Sequence, residues 1–352
     1  SGLNLVSSIA RPSATLPILS NVLIKADLSG IELITTNLEL AVSTKIRAKV
    51  EQDGEYTVNA KLLNDYVGLL QKDIVNVELV DQQLSLACLK NSTKIKGLQA
   101  NDFPVIPSLI NAEKIQIKAV DFIKAASLVS FAVTIDETRP EISGVLIYGD
   151  GQEVVFVGTD SFRLSEARLK PISGVLNQRI IVPLKAISEI SRIAGDNKDE
   201  VITISAGEGQ ITFEYGEHTS VISRLIEGNY PDYKAIIPTQ VVSEIMVDAQ
   251  AFNQAIKSVA LFCKTGINDV SFEFDADSQQ INISSANSTV GESVVSVEAQ
   301  ITGPSQSVVF NYRYVADGIA VTPTKKAVIK IIDANSPSVI TAESGNDFIY
   351  IV

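Results

Sequence analysis
The 352 residues predict an α+β protein built from three copies of one domain, each with antiparallel sheets and two helices packed on them. Three observations carry that expectation: phrases that return at a domain-sized interval, short alternating runs of strand type, and windows with helical spacing. The repeats are the most specific. "TLPILSNVLI" from Thr15 returns as "TRPEISGVLI" from Thr138, 123 residues on. Thr36-Asn37 is answered by Thr159-Asp160 at the same interval, and "VNAKLLNDYV" from Val58 by "VPLKAISEIS" from Val182 after 124. Phe103-Pro104 is answered by Tyr230-Pro231 after 127. A solenoid unit runs to about 20 to 50 residues, so this interval corresponds to a whole small domain.

A third copy is fainter. "FNYRYVADGIAV" from Phe310 follows Val182 by 128 and places Arg313 where Lys185 and Lys61 stand, while Phe252 follows Phe122 by 130. The expected domains are residues 1–112, 113–239 and 240–352. The first copy opens on "SGLNLVSSIA" with no methionine and reads as clipped, keeping only the end of a helix that the other copies show complete.

Within each copy most of the pattern is strand. "QQLSLACLK", "EVVFVGTD", "QITFEYGE", "TSVISRLIEG", "VSFEFDADSQQINISS" and "DFIYIV" alternate and are rich in β-branched residues, with Gly, Asp-Gly or Asn between them. "NAKLLNDYVGLLQKD", "VDFIKAASLVSFAV", "PLKAISEISRIAGDN" and "AFNQAIKSVALFCK" carry apolar residues at helical spacing. Asn59, Pro183 and Asn311 stand where caps or first-turn residues belong.

The composition, 45% hydrophobic and 20% charged, fits a large soluble protein. No apolar run approaches the roughly 18 residues that a membrane span needs, and no secretory leader is visible. Cys88 and Cys263 lie in apolar contexts of different copies, which favours buried free thiols in a reducing cytoplasm over a disulfide. Acid-base or nucleophilic catalysis has little to stand on: the single histidine, His218, sits in the strand-like "YGEHTSVIS". Asp160 and Glu166 flank Arg163, which reads as a salt-bridged turn before it reads as a metal site. There is no P-loop, GxGxxG or HExxH, and neither cofactor nor metal is expected. The residues alone leave open a monomeric β-rich binding or adhesin module, and an enzyme with a site between repeats.

"TLPILSNVLI", "TNLEL", "DETRPEISGVLI", "GTDSFRLSEARL", "GNYPDYKAIIP" and "FNYRYVADGI" closely resemble the bacterial DNA polymerase III β subunit family, the replicative sliding clamps. The resemblance spans nearly the whole chain. It implies three DNA-clamp domains per chain and a head-to-tail homodimer closed into a ring, with helices lining the hole. Double-stranded DNA would pass through without sequence preference, and no membrane would be involved. The net charge of −12 is wrong for tight phosphate binding, but it is unevenly placed. The helix-like windows hold Lys61, Lys72, Lys124, Lys185, Arg192, Lys257, Lys264 and Arg313 against six carboxylates, Asp196 among them, for a sum of +2. A mildly positive lining suits enclosure, because a tight grip would oppose sliding. Glu189 is one turn from Lys185, so that an ordinary ion pair on a solvated helix face is the alternative reading of that lysine. Arg11 lies about two residues from where the family places a DNA-contacting arginine.

The resemblance further implies an apolar groove in which polymerase, clamp loader and repair proteins dock short linear motifs. Its matching positions are Ile142, Thr159, Arg163, Leu164, Pro231, Ile236 and Ile351. Aliphatic walls would take Leu and Phe anchors, with Thr159 and Arg163 orienting the peptide backbone. Ala235 stands where the family often has Arg, and Ser161-Phe162 also depart from its pattern. A short Met-Pro tail that closes the groove in the family is expected after "YIV", where this sequence stops at Val352. The subunit contact is expected to set Leu261 and Phe262 against Thr93 and Ile95.

Overall fold
The computed structural model describes residues 2–107, 109, 112–136, 138–195, 200–264, 266–345 and 347–352; Asp196 of the charge tally lies outside them. Among the described residues the α-helices are α1 (Gly2–Val6), α2 (Ala60–Leu69), α3 (Ala119–Ser130), α4 (Leu184–Ala194), α5 (Ala249–Ala260) and α6 (Tyr312–Val321). Three start on side-chain caps. Asn59 accepts from the Leu62 N–H, Asp248 from Ala251 and Asn311 from Arg313, each satisfying a donor that the first turn leaves free. Pro183 is the last residue of a strand and feeds directly into α4.

Two helices end sooner than their apolar spacing suggests. Leu70 is already extended, with its N–H bonded to Val67 O, and beyond α5 Phe262 and Cys263 donate three residues back in tightened turns. Lys72 and Lys264 therefore lie outside the helices.

The chain forms two compact units, residues 1–120, 171–176 and 185–225 in one and the remainder in the other. Every sheet pairing is antiparallel in both. In the first unit, a twelve-stranded array joins the strands of the first copy to those of the second through Leu40–Ile46 and Thr219–Arg224, with Val42 opposite Val221. Hydroxyl pairs Ser43–Ser220 at 2.8 Å and Thr44–Thr219 at 2.9 Å flank that junction. The second unit's twelve-stranded array joins the second copy to the third through Leu164–Leu169 and Phe348–Ile351, with Leu164 opposite Ile351. Each junction sets one copy's third strand, counted here and below after its first helix, against the final strand of the next.

The repeated phrases have a common structural meaning. "PILS" and "PEI" are 3-10 turns that begin on proline, bury Ile18 with Leu19 or Ile142, and lead straight into a strand. In the first copy Thr36 Oγ1 donates to Leu40 O, and Asn37 Oδ1 accepts from the N–H groups of Glu39 and Leu40. In the second Thr159 Oγ1 donates to Arg163 O, and Asp160 Oδ1 accepts from Phe162 and Arg163. The residue between is left-handed in both, Leu38 at φ 78° and Ser161 at φ 77°. Phe103 joins the core formed by Ile18, Leu23 and Ile34, as Tyr230 packs against that of Leu146, Val157 and Leu164.

The first copy's final strand, Asn91–Leu98, meets Gly54–Asn59 only through Gly97 and Leu98. A Cβ on Gly97 would stand 1.9 Å from Thr57 O and 2.6 Å from the Tyr56 ring, so no side chain fits there. Gly97→Ala is expected to cost about 3 kcal/mol, measured as a lowered urea midpoint with unchanged slope.

Candidate functional site
All seven residues expected in a groove line one cavity of about 590 Å³ in the second unit. They differ in depth. Ile142 and Leu164 at 1% exposure and Ile351 at 3% form its floor and belong to the hydrophobic core, whereas Pro231 is exposed and Ile236 is 49% exposed at the rim. Leu164 packs within the cluster of Leu146, Tyr148, Val155 and Tyr233, so a charge there disrupts the fold and not the groove alone.

Thr159 and Arg163 shape the wall instead of facing an empty groove. Thr159 Oγ1 is committed to Arg163 O and to the Ser161 N–H. Arg163 donates to Asp160 Oδ2 at 3.0 Å, to Asp317 Oδ2 on α6 at 2.6 Å and to Phe131 O at 2.9 Å. Its guanidinium also lies over the rings of Tyr314 and Phe131. The expected Asp160–Arg163 bridge is present, but Glu166 is not part of it: Glu166 is buried and pairs with Arg168 at 2.7 Å. Strand alternation sends it away from the turn.

The seven expected positions leave out several lining residues. Phe162, 74% exposed and stacked on Tyr314, adds an aromatic rim. Val309 and the segment Ala334–Pro337 come from the third copy. Asp333 fixes that segment by accepting from the N–H groups of Asn335 and Ser336, and those bonds hold its carboxyl below the usual range, the Asn335 N–H foremost. Ser161 accepts a 2.6 Å hydrogen bond from Arg139 Nη1, which helps hold its left-handed backbone.

The nine basic residues singled out, Arg11 included, are all exposed. Among the described residues no ion pair engages Lys61, Lys124, Lys185 or Lys257. Arg192 is pinned instead, donating to Leu5 O at 2.7 Å and to Glu189 at 2.6 Å. Glu189 thus pairs with Arg192 and not with Lys185, since the i,i+3 guanidinium reaches both of its oxygens. His218 lies in the turn between two strands and is 48% exposed on its side chain, not within a strand. Both cysteines are free; Cys88 is buried, but Cys263 is only partly so. Among the described residues no three potential ligands cluster as a metal site.

Leu261 is 78% exposed, and Phe262 lies beside Gly291 at the start of the third copy's third strand. Thr93 is half-buried, while Ile95 is turned into its own core at 6% exposure, opposite Leu84. Ile95 can offer a partner backbone but no side chain.

Three like sheet-and-helix domains with a groove at the second junction define a clamp-type scaffold. Models of the DNA polymerase III beta subunit match along the chain: N-terminal domain over residues 1–107, central domain over 116–232 and C-terminal domain over 234–352. The chain belongs to that family, the sliding clamps, which act as processivity factors and not as enzymes. The beta sliding clamp of Synechococcus elongatus is 29% identical over 345 residues, covering 96% of this chain and 92% of the relative. That of Bacillus subtilis is 27% identical over 349 residues, with the same coverage. The crystal structure of the Bacillus subtilis clamp superposes with a TM-score of 0.93 at 25% identity, over 100% of this chain and 95% of that one. A Pseudomonas aeruginosa clamp bound to griselimycin gives 0.94 at 25%, with the same coverage.

Proposed function
We propose that two copies of this chain close head to tail into a ring around duplex DNA, and that the groove takes short peptide motifs of polymerase, clamp-loader and repair proteins. The domains act as residues 1–112, 113–239 and 240–352, in the cytoplasm. The observation that carries the ring is an unfinished series of strand junctions. Within the chain, third strands of the first and second copies pair with final strands of the second and third. The third strand of the last copy, Gly291–Thr302, meets Ser243–Asp248 only from Ala299 onward, and among the described residues the first copy's final strand leaves Asn91–Lys96 without a partner on the same side. Pairing these two edges between copies would extend the same rule and satisfy both. Charge favours it: Lys94 and Lys96 are exposed on one strand, Glu292 and Glu298 on the other. Leu261 and Phe262 would close over this seam beside Thr93.

In the ring, Lys61, Lys124, Lys185, Lys257 and Arg313 on helices, together with Arg11, Lys72, Arg192 and Lys264, supply a weakly attractive surface toward phosphates. The groove reading rests on an aliphatic floor with an exposed apolar rim, suited to Leu and Phe anchors. Because the rim is exposed, Ile236→Asp leaves the core intact. Isothermal titration with a peptide carrying Gln followed by Leu and Phe should show micromolar binding weakened about a hundredfold or more, with the thermal midpoint held. An unchanged affinity would place the partner site elsewhere.

A further inference from the structure
Beneath the groove's rim lies a buried polar chain that the groove does not itself require. Tyr233 OH donates to Glu166 Oε2, and having given its proton there it can only accept from Tyr148 OH at 2.7 Å. Glu166 accepts from Arg168 at 2.7 Å, Arg168 donates to Asp150 at 3.2 Å, and Lys234 reaches Asp150 at 3.4 Å. Arg179 covers the Tyr148 ring at 4.3 Å. Glu166 is 2% exposed and Tyr233 3%. Tyr233 is the one buried residue of the 3-10 turn Tyr233–Ile236, whose other end carries the rim residue Ile236 and whose first N–H bonds to Pro231 O.

The first copy shows that the fold does not need this chain. At the offsets that align the repeats, 127 and 123, Tyr233 corresponds to Ile106, Glu166 to Ser43 and Arg168 to Lys45. Ile106 has no polar side-chain atom and packs against an apolar cluster, while Ser43 turns to Ser220 across the junction, so the corresponding segment is fastened there by hydrocarbon alone. A buried charge pair is often no more stabilising than an apolar replacement of like volume, so its presence calls for another role. Hydrogen bonds are directional where apolar contacts are not, and a chain of them fixes where a turn stands.

We infer that Glu166, through Tyr233, is a positioning residue for the groove: it sets the height and angle of the Pro231–Ile236 rim against the floor at Leu164 and Ile351. This deepens the peptide-groove reading and rests on it. The chain also accounts for the tyrosine's reluctance to ionise, burial foremost and the Glu166 bond next.

Two variants of the full chain test it: Tyr233→Phe, which deletes the turn's donor to Glu166, and Glu166→Val with Tyr233→Ile, which replaces the polar link by an apolar pair. Amide exchange at Lys234–Ile237 in the free protein reads the turn itself, and titration with the Gln-Leu-Phe peptide reads the groove. The expected result is faster exchange in that turn and about tenfold weaker peptide binding in both variants, while the thermal midpoint of the apolar pair stays within a few degrees of the parent. A merely structural role would make affinity follow thermal stability. Unaltered exchange in the turn, or peptide affinity equal to the parent's, overturns the inference. If the parent itself fails to bind the peptide while the turn loosens in both variants, the groove reading falls and the positioning of the turn stands.

Discussion

Once loaded on a nicked circular duplex, the protein stays bound through a gel-filtration run at about 0.15 M salt and is lost when the circle is cut. The expected difference is at least tenfold in retained protein, because two opposing terms separate cleanly. At that ionic strength exposed charges are screened over about 8 Å. A chain of net charge −12 with a small excess of lysine and arginine on its helices then has little electrostatic hold. Topological capture is indifferent to salt, and a free end abolishes it. Raising salt on the closed circle should change retention little, whereas phosphate-bound protein would be lost steeply. Equal loss from circular and linear DNA would reject enclosure.

Replacing Leu261 and Phe262 together by alanine should convert the dimer to monomers at low micromolar concentration. Fully burying a Leu or Phe side chain stabilises by roughly 1.5 to 3 kcal/mol. A head-to-tail ring of two copies has two such seams, so the pair counts twice. Leu261 is largely exposed in the single chain and Phe262 partly so, which leaves on the order of 6 kcal/mol at stake, about four powers of ten in dissociation constant. Sedimentation velocity reads this directly, with circular dichroism confirming that the monomer is folded. Dimers that survive the double change would remove Leu261 and Phe262 from the interface.

What could be read in the sequence depended on how far apart the interacting residues lie. The 3-10 turn with its following strand and the Thr-Asx turn of the first two copies are local devices, so their residues repeat with the structure. Helix starts were legible because Asn59 and Asn311 cap within three residues; helix ends were not, because Leu70 and Phe262 switch conformation while the apolar spacing continues. The groove positions came through resemblance alone. Their chemistry was harder still: Arg163 takes partners just past the end of α3 and on α6, and Glu166 turns to Arg168 and Tyr233, none of which spacing reveals. Val309 and Ala334–Pro337 reach the cavity only because Phe348–Ile351 pairs with Leu164–Leu169, which brings the third copy beside the second.

The third-strand to final-strand junction carries one more implication. It is made twice inside the chain and, in the proposed ring, once more at each meeting of copies. Covalent continuity is incidental to it. The perimeter of such an assembly is fixed by how many repeats must follow one another before the last edge meets the first, whichever of them happen to share a backbone. Subunit count then becomes a matter of where the coding sequence is divided: in the proposed ring, the seam between copies is an ordinary repeat junction that lacks a linker.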